Sequence, residues 1–171
     1  MGRTMAGVML LGSVSACVGT GRLPPPVAGA PPLDPIAFFA GPTHGDGRLR
    51  IATRRPRSVV VDGRGVPAGD GSIRLEQVVT IAGKAPSRRH WQLQRDGQGG
   101  FTGVLSDAAG PVTGRMADGR LHLRFALKGG FRAEQFLALQ ADGRTVLNVM
   151  IVRKFGLPVA RLDETIRKTE E

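Results

Sequence analysis

The residue with the clearest chemistry is Cys17, the only cysteine in a chain of 171 residues. It closes the run Val14-Ser15-Ala16-Cys17, an aliphatic residue, two small residues and a cysteine. That pattern matches the lipobox, where small side chains let a peptidase press against the backbone and the cysteine sulfur takes a diacylglyceryl thioether. Upstream lie Arg3, with its single positive charge, and the apolar stretch Met5 to Leu11, too short to cross a bilayer as a helix. The layout predicts a signal peptide over residues 1–16 and a lipid anchor on Cys17. A lone cysteine makes no internal disulfide, and once lipidated it is lost as a thiolate nucleophile.

Other chemistry would have to come from His44, His90 and His122, the three histidines of the chain. Their spacing does not make a metal site or a triad. His122 falls on the polar side of an alternating run and His90 on the side opposite Trp91, which predicts solvated histidines. His44 sits in Gly41-Pro42-Thr43-His44-Gly45-Asp46-Gly47, read as a glycine-rich loop able to present His44 and Asp46. No nucleophile elbow, phosphate cradle or dinucleotide fingerprint is present. The reading is therefore a non-enzyme with no cofactor and no bound metal.

The segments that must carry these residues begin with a tether. Residues 17–32, starting with the anchor cysteine and continuing as VGTGRLPPPVAGAPP, have no means of packing a core. Residues 33–171 then form one domain, large enough for a single core and too small for two. Asp34 as N-cap, Pro35 in the first turn and Gly41 as a stop predict one short helix, docked by Phe38 and Phe39.

From about residue 46 the apolar period becomes two. Leu121-His122-Leu123-Arg124-Phe125-Ala126-Leu127 is the clearest run. Similar runs occur at residues 48–53, 58–64, 72–82, 89–95, 101–107, 112–116, 132–140 and 145–154, while 157–168 is ambiguous between strand and helix. Asp62-Gly63, Asp70-Gly71, Asp96-Gly97, Asp118-Gly119 and Asp142-Gly143 suit tight hairpin turns with positive φ. Nine or ten strands in a meander would expose two edges if laid flat, and closure removes them. The expected fold is all-β, an antiparallel meander closed into a lipocalin-like barrel with one short N-terminal helix; a β-sandwich satisfies the same pattern.

Three amides fall on apolar faces by parity. Gln77 aligns with Leu75 and Val79, Gln135 with Leu137 and Leu139, and Asn148 with Val146 and Met150. A buried amide needs a partner, from the barrel or from a ligand. Gln77, Gln135 and Asn148 are thus the candidate contacts for a bound lipid or other hydrophobic molecule.

The 24 basic residues against 14 acidic ones give a formal charge of +10. Arg54-Arg55-Pro56-Arg57 and Arg88-Arg89-His90 are clusters that could grip phosphate, with solvated strand faces as the plain alternative. The strands lack the interleaved aromatics of a single-strand-binding surface, and export argues against nucleic acid; anionic lipid is the partner that remains.

The chain also resembles a family, the proteobacterial lipoproteins grouped as domain of unknown function 3833. The likeness is carried by Asp34-Pro35 leading to Phe38-Phe39-Ala40-Gly41, by Thr43 and Gly45, by Trp91-Gln92-Leu93, and by Leu147-Asn148 with Lys154-Phe155-Gly156. It runs from Leu33 to the C-terminus. What it implies is an envelope lipoprotein; it supplies no reaction. The expected place is the periplasmic face of a membrane, the outer membrane in preference to the inner because Val18 and not Asp follows the cysteine. The expected role is binding a hydrophobic molecule, with docking on an envelope assembly as the alternative.

Overall fold

The computed structural model describes residues 21–170. Cys17 and the signal-peptide reading lie outside the described residues. The chain enters through a short helix and continues as ten antiparallel strands. The order is α1 (Pro35–Phe38), β1 (Gly41–Ile51), β2 (Arg57–Pro67), β3 (Ser72–Ile81), β4 (Ser87–Arg95), β5 (Gly100–Leu105), β6 (Val112–Ala117), β7 (Arg120–Leu127), β8 (Phe131–Leu139), β9 (Thr145–Lys154) and β10 (Leu157–Lys168). Each strand pairs with its neighbour in sequence, and β1 pairs with β10, so the sheet closes as a barrel. The sandwich alternative is not realised, and the ambiguous run 157–168 is a strand.

Four of the five Asp-Gly pairs lie between strands, with Gly71, Gly97, Gly119 and Gly143 at positive φ. Asp118-Gly119 is a two-residue hairpin in which both residues have positive φ, at 50° and 69°, as the twist of the flanking strands requires. Asp62-Gly63 is different and corrects the sequence reading. It lies inside β2, where a Cβ on Gly63 would meet Thr43 Oγ1 at 2.8 Å. The pair is glycine-bearing because two strands pack closely there, not because the chain turns.

The stretch Gly41 to Gly47 is likewise strand, not loop. Its inward positions are Thr43, Gly45 and Gly47. A Cβ on Gly45 would collide with Glu164 Oε1, and one on Gly47 would lie 3.0 Å from the Asp163 carbonyl. The glycines leave room for β10, and by leaving room they erase the apolar alternation that marks the other strands.

The interior holds two apolar clusters. The larger contains Leu33, Phe38, Ile73, Leu75, Trp91, Leu93, Leu121, Leu123, Phe125, Leu137 and Ile166; the smaller contains Val59, Val61 and Leu162. α1 stops the barrel at the end where β1 begins. Asp34 caps it by accepting from Ile36 N at 3.0 Å, and Lys168 Nζ donates to the carbonyls of Phe38 and Ala40, each at 2.8 Å. A lysine at the C-terminal carbonyls suits both the orphan acceptors and the helix dipole. A salt bridge of 2.7 Å from Arg95 to Asp34 adds a second tie.

The segment before α1 is not free of the barrel. Arg161 on β10 donates to the Arg22 carbonyl at 2.7 Å, and Arg120 on β7 donates to the Pro24 carbonyl at 2.6 Å. The chain from residue 21 thus straps the outer face of the sheet on its way to the plugged end. Among the described residues no helix is long and apolar enough to cross a membrane.

Candidate functional site

Strand alternation sends one residue in two inward, and at mid-height those residues are polar. Gln77 sits between Leu75 of the larger cluster and Val79, which packs on the smaller one; Glu164 sits between Ile166 and Leu162 in the same way. Arg89 is next inward after Trp91 on β4. Asn148 pairs across to Glu164, and Gln135 stands opposite Met150. The two apolar clusters are therefore separated by a belt of amides and charges.

The belt is partly satisfied within itself. Gln77 Oε1 accepts from Arg89 Nε at 2.7 Å and from Trp91 Nε1 at 2.9 Å. Asn148 Nδ2 donates to Glu164 Oε2 at 2.8 Å, leaving Asn148 Oδ1 buried without a partner. The Gln135 side chain makes no hydrogen bond to the described residues. Burial holds the Glu164 carboxyl above the ordinary carboxylate range, opposed by the Asn148 hydrogen bond and the Arg89 charge. Burial likewise lowers the Arg89 guanidinium, opposed by Glu164 and Asp107. The two charges act on each other through space, with no ion pair closed between them.

They face a cavity of about 50 Å³. Pro35 and Phe39 bound it on the plug side and Gln77, Arg89, Gln135 and Glu164 on the belt side, with leucines, Ile73, Ile166 and Trp91 as walls. Of the three amides read from sequence, Gln77 and Gln135 line this cavity, while Asn148 lies behind Glu164. Arg89 and Glu164 were missed. Arg89 was counted in an outward basic cluster although it shares parity with Trp91 and Leu93. Glu164 lay in the run left ambiguous between strand and helix, so its face could not be assigned.

The histidines are elsewhere. His44 is on the outside of β1, its Nδ1 2.7 Å from Asp62 Oδ1 and its Nε2 3.4 Å from Asp46. The hydrogen bond to Asp62 raises its pKa. His90 is exposed on the outer face. His122 is outward too but not solvated, which corrects the expectation: it stacks on Phe136 at 4.3 Å and lies 3.2 Å from Glu134. Burial lowers its pKa in spite of that carboxylate. Among the described residues no group of three or more metal-ligating side chains comes together.

Two solved structures share the barrel. The S-type phycobiliprotein lyase CPES from Guillardia theta superposes with a TM-score of 0.63 at 11% identity, over 80% of this chain and 91% of that one. Rv2717c from M. tuberculosis gives 0.59 at 16% identity, over 81% and 99%. At these identities the likeness shows the fold, a lipocalin-like barrel. It also overturns the expectation of a non-enzyme, because a barrel of this architecture is found in a lyase and missing sequence motifs are no ground for excluding activity. No curated protein matches the chain. A family model described as "Protein of unknown function (DUF3833)" matches residues 17–168, the whole barrel together with the segment that straps it, and the chain belongs to that family.

Proposed function

We infer that this protein is a cell-envelope lipoprotein, anchored through Cys17, whose barrel holds a small hydrophobic molecule with a polar head. The observation that carries the reading is the belt facing the cavity. Burying an ion costs on the order of several kcal/mol even after relaxation, and apolar side chains would fill the same space without that cost. Arg89 offers donors to an oxygen or anion, Gln135 an uncommitted amide, and Glu164 an acceptor for a hydroxyl or amine.

Size sets a condition. A space of about 50 Å³ holds one or two waters, whereas ligand pockets run to roughly 300 Å³ and more. A guest of that size enters when α1 and Phe39 swing aside, since the plug is only four residues long and forms one wall of the cavity. The fold's occurrence in a lyase keeps chemistry on the bound molecule inside this reading. Support for the anchor comes from the lipobox and from the family match, which begins at Cys17, where cleavage would leave the new N-terminus.

The test is to purify the Cys17→Ala chain without detergent and identify extracted small molecules by mass spectrometry. A hydrophobic molecule in near-stoichiometric amount is expected, reduced at least fivefold in Arg89→Met and Gln135→Leu. An empty barrel in folded protein overturns the ligand reading. Acyl labelling in cells reads the anchor separately: label retained by Cys17→Ala overturns it. The small cavity favours a second reading, an interaction lipoprotein docking on an envelope assembly, for which the outcome is an empty barrel with a stoichiometric protein partner.

A further inference from the structure

The two ends of the barrel carry opposite charge. The turns at the plugged end, between β2–β3, β4–β5, β6–β7 and β8–β9, hold Asp70, Asp96, Asp118 and Asp142 against Arg144, and the cations at the adjoining strand ends, Arg95, Arg120 and Lys168, are engaged by Asp34, the Pro24 carbonyl and the carbonyls of α1. The loops at the far end, between β1–β2, β3–β4, β5–β6, β7–β8 and β9–β10, hold Arg54, Arg55, Lys84 and Lys128 against Asp107, with Arg57, Arg88 and Lys154 at the adjoining strand ends. The aspartates have local work in their turns: Asp70 accepts from Ser72 N and Asp142 from Arg144 N and Thr145 N. The cations of the far loops do not. The side chains of Arg54, Arg55, Lys84 and Lys128 are exposed and form no ion pair with the described residues.

At the same far end stands an apolar tip. Phe155 is 91% exposed and Leu157 63% exposed in the β9–β10 hairpin. Phe155 takes a φ of 51°, a conformation that costs a non-glycine residue roughly 1–2 kcal/mol and that Asn or Gly would adopt more readily. A bulky aromatic held in strain and in water is disfavoured twice, unless it meets an apolar phase. Beside it an open groove of about 840 Å³ is lined by Arg124, Arg132, Arg153 and Glu134 as well as Phe155. Glu134 pairs with Arg153 and Arg124, which leaves Arg132 to face the groove.

The strap supplies the direction. Gly21 and Arg22 lie against Arg161, four residues along β10 from Leu157. Four residues link Cys17 to Gly21, a reach of at most about 14 Å, and four strand residues rise about 13 Å. A lipid on Cys17 is therefore within reach of the far rim.

We propose that this rim is a membrane-docking surface: its cations sit on anionic lipid head groups and Phe155 and Leu157 enter the interface. The orientation rests on the Cys17 anchor; the surface itself does not. Clustered cations beside an exposed aromatic are the side chains that hold a protein at an anionic bilayer, and the acidic, plugged end then faces away from the membrane.

The experiment uses the unlipidated Cys17→Ala chain and vesicles of phosphatidylethanolamine with phosphatidylglycerol, against vesicles of phosphatidylcholine alone. Every protein compared keeps residues 1–16, so differences between them read the rim. Binding at least tenfold tighter to the anionic vesicles is expected, weakening as salt rises. Each cation near an anionic surface strengthens attachment by roughly fivefold, so the combined variant Arg54→Ser, Arg55→Ser, Lys84→Ser, Lys128→Ser should lose a hundredfold or more. Phe155→Asn, which suits the turn and should not lower the melting temperature, is expected to bind severalfold less. Equal binding to both vesicle types, or binding that neither variant weakens, overturns the proposal. So does a rim that ignores vesicles but captures an acidic protein in stoichiometric amount. Loss of acyl label from Cys17→Ala tests the anchor and leaves these comparisons intact.

Discussion

Asn148 gives its amide hydrogen to Glu164 and leaves its own carbonyl oxygen without a partner, on adjacent strands and buried inside the barrel. The carboxylate gains a donor, and the amide is half used. The pair is thus tuned to the charge of Glu164 and not to the comfort of Asn148.

Asn148→Leu should lower stability at pH 7 by about 1–3 kcal/mol, because the change strands a buried acceptor. The cost should be smaller at pH 4 than at pH 7, because the folded carboxyl, its pKa raised by burial, takes up a proton as pH falls and then needs the donor less. Urea unfolding at both pH values checks this. An equal cost at the two would mean a packing defect in place of a lost hydrogen bond.

Glu164 should make the protein less stable as pH rises. Its folded pKa is raised by burial, so above 4.5 the unfolded chain ionises first and stability is lost until pH passes the folded value. Glu164→Gln should remove that fall. A thermal-melt series from pH 4 to pH 9 on both proteins measures it.

His122 should act on the opposite side. Burial lowers its folded pKa below 6.5, so as pH drops through 6.5 the unfolded chain takes up a proton that the folded chain refuses, and stability falls. His122→Gln should flatten the acid limb between pH 6.5 and the folded pKa. His44, raised by Asp62, has the reverse sign: its contribution is present below 6.5 and fades as pH climbs through its folded pKa. Its exposure keeps that effect small.

Gly65→Ala should unseat the plug. A Cβ there would overlap the Phe39 carbonyl, part of the backbone just after α1, and backbone cannot give way as a side chain does. We expect a loss of about 1–3 kcal/mol together with increased uptake of an apolar dye into the barrel. Uptake unchanged in the folded variant would show that α1 does not gate the cavity. Lys168→Met, which removes the donor to the Phe38 and Ala40 carbonyls, should move dye uptake the same way.

Much of the architecture was legible because most strands obey the plain rule of apolar inside and polar outside, and because hairpin turns demand residues that tolerate positive φ. The rule failed where packing inverted it. Gly45 and Gly47 look like loop because their side of the strand is empty for Glu164 and Leu162. Gly63 looks like a turn for a similar reason. Arg89 has the parity of Trp91 and Leu93 yet reads as a solvated charge, because nothing in the sequence shows that Glu164, from a strand far along the chain, will be brought inside to face it. The basic rim is legible only in pieces: the clusters around Arg54 and Arg88 stand out in the sequence, but Lys84, Lys128 and Lys154 come from separate segments, and only the meander gathers them all at one end.

The pairing of β1 with β10 has a consequence in time. Until the last strand is made, β1 has one partner, β2, and its other edge stays open. Thr43 waits for Lys168 and Leu49 for Leu162, contacts of long sequence separation that slow folding. The same late strand brings Glu164 to the belt and Lys168 to the plug. Sealing the sheet, placing the buried acid and shutting the lid are thus one event, and a chain that stops short of β10 loses all three at once while exposing two edges to its neighbours.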